Sequence, residues 1–460
     1  MKRLFICAAM LFVGAMCAEA QTKDGGIDSD MLSRIRQGYA ATPEQKAIKN
    51  ALASNSIAAL AINSENLTMC DTHFSHRVET KGITDQKSSG RCWLFTGLNV
   101  LRAKMIAKHD LPSFEFSQNY CSFYDLLEKS NLFLQAIIDT RELPMDDRKV
   151  DWLLRNPIGD GGQFTGVSNL IMKYGVVPKS AMPETYQSNN TSSMATILKL
   201  KLREYALELR ELKPAKAAER KEAMLTEIYR ILVECLGVPP TEFEWARYDK
   251  SGKLVSKKTY TPKSFYEEYI GEDLEKNYVM LMNDPTREYG KVYEIDYDRH
   301  IYDGENWLYI NLPIERIKEI AIASIKDNTA MYFSCDVGKF FDRKRGVLDV
   351  TNLDYGSLFA TDFPMNKKQR VSTFASGSSH AMTLIAVDTD DNGKTTKWMV
   401  ENSWGAKSGY KGNLIMTDEW FNEYMFRLVV ERKYVPDDVL EMLNQKPTLL
   451  PAWDPMFAPE

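Results

Sequence analysis

The chain has 460 residues, of which 44% are hydrophobic and 26% are charged, with 18 prolines and 25 glycines. This composition is typical of a globular protein and excludes a largely disordered or low-complexity chain. The formal net charge of −5 argues against nucleic-acid binding through general electrostatics, because that affinity comes from lysines and arginines that neutralise phosphates. We therefore expect no nucleic-acid partner.

The first twenty residues have the pattern of a secretory signal peptide. Lys2 and Arg3 precede an apolar stretch at 4–16, and Ala18-Glu19-Ala20 has the small-x-small form of a cleavage site. We expect an exported protein, periplasmic or secreted, with a lipoprotein anchored at Cys17 as the lesser alternative. Cleavage after residue 20 leaves 56 basic and 62 acidic residues, a net charge of −6. No later stretch reaches the roughly 18–20 apolar residues of a membrane span.

The cysteines of the mature chain are odd in number and widely spaced. They are Cys70, Cys92, Cys121, Cys235 and Cys335. A disulfide scaffold is not expected at this size, and there is no CxxC pair or Cys/His cluster of the metal-binding kind. We expect no metal and no cofactor. An exported protein with at least one unpaired thiol raises the question of why that thiol is kept.

In chain order, the predicted elements are first helical and later mostly strands. Residues 21–70 are predicted to form an N-terminal helical arm, with Thr42 as an N-cap before Pro43. Three further helical regions are predicted, at 92–108, 115–140 and 191–236. The last of these breaks at Lys213-Pro214 into an antiparallel hairpin.

The later part of the chain contains short segments rich in aromatic and β-branched residues, which predict strands. These segments are 291–297, 329–335, 381–388, 396–401, 412–416 and 426–434. The arrangement predicts an α+β fold, since helices and strands are segregated. We expect a helix-rich lobe at 71–255 with the hairpin 191–236 as an insertion, a strand-rich lobe at 256–449 and a C-terminal arm at 450–460.

Cys92 opens a predicted helix that is apolar nearly all round, directly after the turn-forming Ser88-Ser89-Gly90-Arg91. A helix N-terminus favours negative charge and therefore the reactive thiolate. A histidine partner would accept the thiol proton and later protonate the leaving amine. A lone cysteine is more often a core residue, so a catalytic role for Cys92 depends on partners elsewhere in the chain.

His380 has the sequence context of such a partner. It begins the strand-like segment HAMTLIAVD, and Asn402 ends the next predicted strand, across a hairpin turn at 391–393. The hairpin would place the Asn402 carbonyl beside the imidazole and fix its orientation, with Trp404 shielding that bond from water. Gln86 would supply a side-chain amide donor to a developing oxyanion.

The other four histidines of the mature chain have weaker contexts. His73 and His76 are predicted as solvated loop residues, since no third metal ligand is evident. His109 is predicted at a helix end, where a cation suits the helix dipole. His300 is predicted in a polar loop.

These segments together resemble the bleomycin hydrolase and aminopeptidase C family of papain-type cysteine peptidases. The segments that carry the resemblance to the nucleophile, histidine and asparagine motifs are QKSSGRCWLF at 86–95, HAMT at 380–383 and VENSWG at 400–405. Further matches are FSQNY at 116–120, DGGQF at 160–164, KYGVVPK at 173–179, NDP at 283–285, SIKD at 324–327, CDVGK at 335–339 and LPAWDPM at 450–456. The resemblance therefore covers almost all of the mature chain.

The resemblance implies a two-lobed papain core with helical insertions, assembled as a homohexameric ring whose active sites face an inner cavity. Peptides would be the substrates. The implied catalytic residues are Cys92 as nucleophile, His380 as acid and base, Asn402 as its orienting residue and Gln86 as oxyanion donor. The implied substrate-binding residues are Asp160, Gly161 and Gly162 on the cleft wall, together with Trp404 and Glu460. Exposed glycine backbone on that wall can pair with an extended substrate as an added strand.

The C-terminal arm carries the implied specificity. In this family the last residues block the cleft, and the terminal carboxylate meets the α-ammonium of the substrate, which makes the enzyme an aminopeptidase. Here the arm ends in Phe457-Ala458-Pro459-Glu460, a departure from the family's small Gly/Ala-rich tail. That departure puts the number of residues removed per cut in question.

Two other functions remain open from the sequence. An endopeptidase would need a cleft that the tail leaves open. A catalytically silent peptide-binding scaffold is disfavoured because Gln86, Cys92, His380 and Asn402 are all present. The signal peptide is a further departure, since most members of the family are cytosolic. Some relatives bind nucleic acid, and the net charge of −6 argues against extending that property to this chain.

Overall fold

The computed structural model describes residues 25–39, 42–68 and 71–456, with the side chains of residues 67 and 68 excepted. The predicted signal peptide at 1–20, together with Cys17 and Cys70, lies outside these ranges. The predicted substrate-binding residue Glu460 lies outside them as well. The chain divides between Ala61 and Ile62 into two units.

The described part of the first unit contains three short helices. They are α1 (Ser29–Gln37), α2 (Pro43–Leu52) and α3 (Ile57–Leu60). Each begins after a side chain that accepts a hydrogen bond from a first-turn N–H group; these caps are Asp28, Thr42 and Ser56. The predicted N-cap is confirmed, since Thr42 and Gln45 form a reciprocal capping box and Pro43 occupies the first helical position.

The second unit contains helices at the three predicted helical regions, together with helices that the sequence did not predict. They are α4 (Cys92–His109), α5 (Gln118–Asp139), α6 (Arg148–Arg155), α7 (Phe164–Tyr174), α8 (Tyr186–Asn189), α9 (Ser192–Glu211), α10 (Pro214–Leu236), α11 (Pro262–Tyr269), α12 (Ile314–Lys326), α13 (Tyr355–Phe359), α14 (Lys367–Ser372), α15 (Asp418–Tyr424) and α16 (Asp437–Leu440). The predicted break between α9 and α10 is confirmed, because Pro214 begins α10. Short 3₁₀ helices occur at Ser64–Thr68, Arg432–Tyr434 and Glu441–Asn444.

The strands are concentrated in the second half of the chain. They are β1 (His76–Arg77), β2 (Phe243–Tyr248), β3 (Leu254–Tyr260), β4 (Tyr278–Met282), β5 (Lys291–Ile295), β6 (Leu308–Asn311), β7 (Met331–Cys335), β8 (Phe341–Asp342), β9 (Val347–Leu348), β10 (His380–Thr389), β11 (Thr395–Glu401), β12 (Asn413–Thr417), β13 (Met425–Glu431) and β14 (Thr448–Leu450). The hairpin of β2 and β3 lies across the predicted lobe boundary at residue 255. Most of the long helices precede most of the strands, although six helices, α11 to α16, lie among the later strands. The predicted α+β fold is confirmed.

One mixed sheet contains all the described strands except the β2–β3 hairpin. Its order is β14-β5-β6-β4-β13-β7-β10-β11-β12-β9-β8, and β1 pairs with β10. The central strand β7 is antiparallel to each of its two neighbours, β10 and β13, and all three strands are buried, which suits their largely apolar sequences. The first residue of β10, His380, therefore begins a strand in the middle of the sheet.

Helix α4 is buried on nearly all sides, as its apolar sequence predicts. It packs among the helices in one hydrophobic core, while a second core lies at the sheet with α12 and α15. Arg102 on α4 forms a buried ion pair with Glu401 at the end of β11, with 2.5 Å between Nη2 and Oε1. This pair ties the helix that begins at Cys92 to the strand that ends beside Asn402.

Candidate active site

Cys92 is the first residue of α4 and lies in a cleft of about 650 Å³. The turn before it is held by Arg91, whose guanidinium is buried and bonds both carboxylate oxygens of Glu184 at 2.9 and 3.3 Å. Because first-turn N–H groups have no partner within a helix, this position favours an anionic sulfur. The four cysteines in the described part of the chain, Cys92, Cys121, Cys235 and Cys335, are free thiols.

The surroundings of the Cys92 sulfur act in opposite directions on its pKa. Burial raises the pKa of the thiol, and the charge of Asp160 adds to that effect. Backbone N–H groups of Ala381 and Trp93 stabilise the thiolate and lower the pKa. The contribution from Ala381 shows that the sulfur lies beside the strand that His380 begins.

His380 and Asn402 form the contact that the hairpin pattern predicts. Strands β10 and β11 pair with Thr383 opposite Glu401, and the His380 Nε2–H donates to Asn402 Oδ1 at 2.8 Å. The same oxygen accepts the backbone N–H of Ser403 at 2.8 Å, which identifies it as the amide oxygen. With Nε2 protonated, the other nitrogen of the neutral ring, Nδ1, carries the lone pair that can accept a proton.

Trp404 covers this hydrogen bond. Its ring stacks on the imidazole of His380 with 4.7 Å between centroids and 29° between planes. His380 is only 7% exposed, and burial lowers the pKa of its imidazole to about 4. The hydrogen bond that His380 donates to Asn402 opposes that shift.

Burial thus favours the neutral form of Cys92 and of His380 when each is taken separately. Transfer of the thiol proton to the imidazole creates two opposite charges together, and their attraction offsets the cost of burying them. The neutral amide of Asn402 orients the ring without adding a fixed charge.

Gln86 is fixed at the same cleft by three hydrogen bonds. Its Nε2 donates to the Ser89 carbonyl at 2.6 Å, its Oε1 accepts the Ser403 hydroxyl at 2.6 Å, and its backbone N–H donates to the Ser403 carbonyl at 2.8 Å. A side-chain amide has two N–H donors, so one remains for a ligand in the cleft. The position suits the predicted oxyanion role, which remains a prediction.

The predicted cleft wall divides into one residue that points inward and two glycines that are exposed. The Asp160 carboxylate accepts the Gly90 N–H at 2.6 Å and the Thr191 hydroxyl. Its backbone carbonyl accepts the indole N–H of Trp93 at 2.8 Å. Asp160 thus braces the turn before Cys92, while Gly161 and Gly162 present backbone to the cleft.

His300 is not the solvated histidine that its polar loop predicts. It is 3% exposed, lines the cleft, and its Nδ1–H donates to Asp125 at 2.6 Å. Its ring lies edge-on to Trp93 at 4.6 Å between centroids. A side chain at Gly162 would place its Cβ 2.2 Å from the His300 ring, so this position requires glycine.

Lys129 completes a buried group that the sequence analysis did not predict. Its ammonium bonds Asp125 at 2.8 Å and the carbonyls of Gly159 and Gly161 at 3.0 and 2.6 Å. Burial lowers the pKa of His300, and Lys129 adds to that effect while Asp125 opposes it. The group holds the glycine wall from beneath. The Asp-Gly-Gly motif is the sequence signal near it, since Lys129 and His300 are far away in the chain.

Two further charged side chains, Arg427 and Asp298, line the cleft. Arg427 on β13 is 8% exposed and donates to the Met456 carbonyl at 2.9 Å. Asp298, in the loop after β5, lines the cleft beside it. Neither residue was identified from the sequence, because an arginine in a strand and an aspartate in a loop are ordinary surface patterns.

The other histidines lie away from the cleft. His73 is exposed, His76 lies in β1, and His109 ends α4 with its Nε2 at 3.1 Å from the Tyr269 carbonyl. None of the helices in the described ranges is both long and apolar enough to cross a membrane.

The α+β fold and a cysteine–histidine cleft between a buried helix and a central strand define a papain-like cysteine peptidase. The Peptidase C1-like family matches residues 26–457, and the chain belongs to this family. It is 40% identical to bleomycin hydrolase of Homo sapiens over 448 residues, which cover 94% of this chain and 98% of that protein. It is 38% identical to aminopeptidase C of Listeria monocytogenes over 431 residues, covering 93% and 97% of the two chains.

A solved structure gives the same result for the fold. The crystal structure of PepW from Lactobacillus rhamnosis HN001 superposes with a TM-score of 0.91 at 38% identity, covering 95% of this chain and 100% of that one. The predicted family resemblance and the predicted cysteine peptidase are both confirmed.

Proposed function

We propose that the protein is a thiol aminopeptidase that removes N-terminal residues from peptides through a Cys-His-Asn acyl-enzyme mechanism. The observation that carries the proposal is the buried 2.8 Å bond from His380 to Asn402 in the cleft that contains Cys92 and Gln86. The names of two relatives, aminopeptidase C and bleomycin hydrolase, support hydrolysis of peptide-like amides.

The first half-reaction follows from the positions of the donors. Nδ1 of His380 accepts the Cys92 proton, and the thiolate attacks the scissile carbonyl carbon. The oxyanion accepts hydrogen bonds from the free amide N–H of Gln86 and the backbone N–H of Cys92. The C–N bond then breaks, and the imidazolium protonates the leaving amine.

The second half-reaction uses the same residues in reverse. His380 takes a proton from water as the oxygen attacks the thioester carbon. The C–S bond then breaks, the carboxylic acid leaves, and the imidazolium returns its proton to the Cys92 thiolate. Throughout, Asn402 accepts the Nε2–H and keeps Nδ1 directed to the sulfur. No change in redox state is involved.

The proposal assigns the selection of free N-termini to a carboxylate of Glu460. The Met456 carbonyl, which accepts a hydrogen bond from Arg427, and the buried Met456 side chain both lie at the cleft. The chain thus enters the cleft four residues before Glu460. A carboxylate there would pair with a substrate α-ammonium and limit the number of residues beyond the scissile bond.

The testing experiment uses one peptide in two forms, with a free and with an acetylated N-terminus. The mature, reduced enzyme is incubated with each, and products are identified by mass spectrometry. Stepwise loss of N-terminal residues from the free form alone is the expected result. Internal cleavage of both forms would replace the proposal with an endopeptidase. Cys92→Ser is the control, and full activity in that variant would remove the catalytic assignment.

Two further parts of the proposal concern the oligomeric state of the protein and its export from the cell. We expect a homohexamer, measurable by light scattering, and a monomer in solution would contradict it. We expect export, with cleavage after Ala20, which N-terminal sequencing of the protein from the periplasm or medium would test. Because the catalytic thiol is unpaired, activity should rise on addition of dithiothreitol.

A further inference from the structure

The Asp298 carboxylate lines the active-site cleft, and one of its oxygens accepts no hydrogen bond from the residues that the structure describes. Its Oδ2 is buried and has no hydrogen-bond partner among the residues that the structure describes. The side chain interacts with Gln163, and burial raises the pKa of the carboxyl group while Arg427 opposes that shift. A buried oxygen without a donor is costly, and such a group in a cleft is often completed by a ligand.

The carboxylate is held rigidly. Two backbone hydrogen bonds fix Asp298 in its loop. The Asp298 N–H donates to the Ile295 carbonyl at 3.2 Å, and the Trp307 N–H donates to the Asp298 carbonyl at 2.8 Å. Strands β5 and β6 flank that loop. The backbone therefore cannot turn Asp298 out of the cleft without breaking the end of a sheet.

Asp298 lies on the side of Cys92 where the glycine wall stands. Two residues later, the His300 ring packs against Gly162. The charges of Cys92 and of Asp298 both act on the hydroxyl of Tyr332, a buried residue of the cleft floor. The acidic group thus lies in the same cleft as the nucleophile, and both are near the hydroxyl of Tyr332.

The chemistry of this position favours a small cation. Arg427 and Met456 also line the cleft, so a long basic side chain would meet both bulk and like charge. An ammonium directly attached to the substrate backbone is compact and has three N–H donors. It would supply the donor that Oδ2 lacks through a charge-assisted hydrogen bond.

We propose that Asp298 is a specificity-determining residue that binds the α-ammonium of the substrate. This inference rests on the proposed aminopeptidase function and adds a rigid acceptor to the carboxylate assigned to Glu460. Discrimination against blocked peptides then comes from two sources, one in the tail and one in the loop between β5 and β6.

The test compares wild type with Asp298→Asn, which keeps the shape and removes the charge. Initial rates are measured on a free and an acetylated form of one peptide, and on a free peptide with lysine as its second residue. We expect kcat/KM for the free peptide to fall about 10-fold to 100-fold, the range for a hydrogen bond to a charged group. Any slow residual cleavage of the acetylated peptide should stay within about twofold of the wild-type rate, since that substrate has no ammonium.

Controls separate a recognition role from a structural one. Asp303→Asn makes the same charge change on an exposed side chain of the same loop, and it should leave both rates unchanged. Titration of Cys92 with a thiol-directed label reports the fraction of intact active sites in each sample. If Asp298→Asn does not fold, Asp298→Ala is used as the second variant. If the rates on the free and the acetylated peptide fall by the same factor, Asp298 has a structural role and the inference is overturned.

Two other outcomes are decisive. If wild type does not distinguish the free from the acetylated peptide, the proposed aminopeptidase function fails, and the inference fails with it. If wild type distinguishes them and Asp298→Asn does so equally, the inference alone fails. Loss confined to the lysine-containing peptide would assign Asp298 to a side-chain pocket and would likewise overturn recognition of the α-ammonium.

Discussion

Two buried histidines line the same cleft and differ in what their rings contact. His380 donates to the neutral amide of Asn402 and stacks on Trp404. His300 donates to the carboxylate of Asp125, which is held by a lysine, and its ring is wedged against glycine backbone. Burial lowers the pKa of both imidazoles.

The difference indicates which ring can change its protonation state during a reaction. His380 shares its cleft with the Cys92 thiol, has one ring nitrogen that is not bonded to Asn402, and has a partner without charge, so neither protonation state is locked. His300 has Lys129 nearby, which opposes a second proton, and its ring is enclosed. One histidine is thus suited to proton transfer, and the other supports the wall along which the substrate would lie.

The largest expected difference is in the chemical step. His380→Gln should lower kcat by about 10²–10⁴-fold, the usual contribution of a general acid–base group. His300→Gln should mainly raise KM, because it disturbs the glycine wall and leaves the proton path intact. Steady-state kinetics on one free-amine peptide measure both variants. Equal losses of kcat would show that the comparison between the two rings is wrong.

Acid should destabilise the protein through His380. Its pKa is lowered from 6.5 to about 4 in the folded chain, so the unfolded chain binds this proton first as pH falls. The contribution to stability is complete above about pH 6.5 and is lost towards pH 4, a change of about 3 kcal/mol. Urea unfolding at about pH 7 and about pH 4 measures the free energy of unfolding, which should fall less between the two pH values for His380→Gln than for wild type.

A carboxylate in place of the Asn402 amide should raise the pKa of His380. Asn402→Asp places a negative charge on the ring's partner, and the pKa of His380 should rise by at least about one unit. The acid limb of the rate of Cys92 alkylation against pH reports this shift. Asn402→Ala is the matched control, since it removes the hydrogen bond without adding charge. An unmoved acid limb in Asn402→Asp would exclude His380 as the partner of the thiol.

The smallest effect is expected at Lys129. Lys129→Met leaves the carbonyls of Gly159 and Gly161 without their donor, so the wall should loosen and KM should rise by up to about tenfold. Lys129→Arg keeps the charge and should recover most of the affinity. If both variants bind substrate as wild type does, the buried group does not support the wall.

Local patterns were sufficient for part of the site. Cys92 follows a turn and begins an apolar helix, and His380 and Asn402 lie on neighbouring strands of one hairpin. Each relation spans a single helix start or a single hairpin turn, so periodicity and turn signals predicted it. Gln86 came from the motif around the cysteine, and the structure fixes it through Ser403, which lies 317 residues later.

The rest of the cleft could not be read from local patterns. The loop with Asp298 and His300 has the composition of an exposed loop, yet its histidine contacts Asp125, 175 residues away. Burial of a polar segment depends on which distant elements cover it. Charge pairing between such elements leaves no periodic signal in either one.

The sequence by itself determined the α+β class, the helix that begins at the thiol, and the hairpin that joins the imidazole to its amide. These follow from capping, hydrophobic periodicity and turn chemistry, which act within a few residues. Only the tertiary structure decided which polar groups are buried together: His300 with Asp125 and Lys129, and Asp298 in the cleft. The physical reason is that desolvation and charge pairing depend on how distant segments pack.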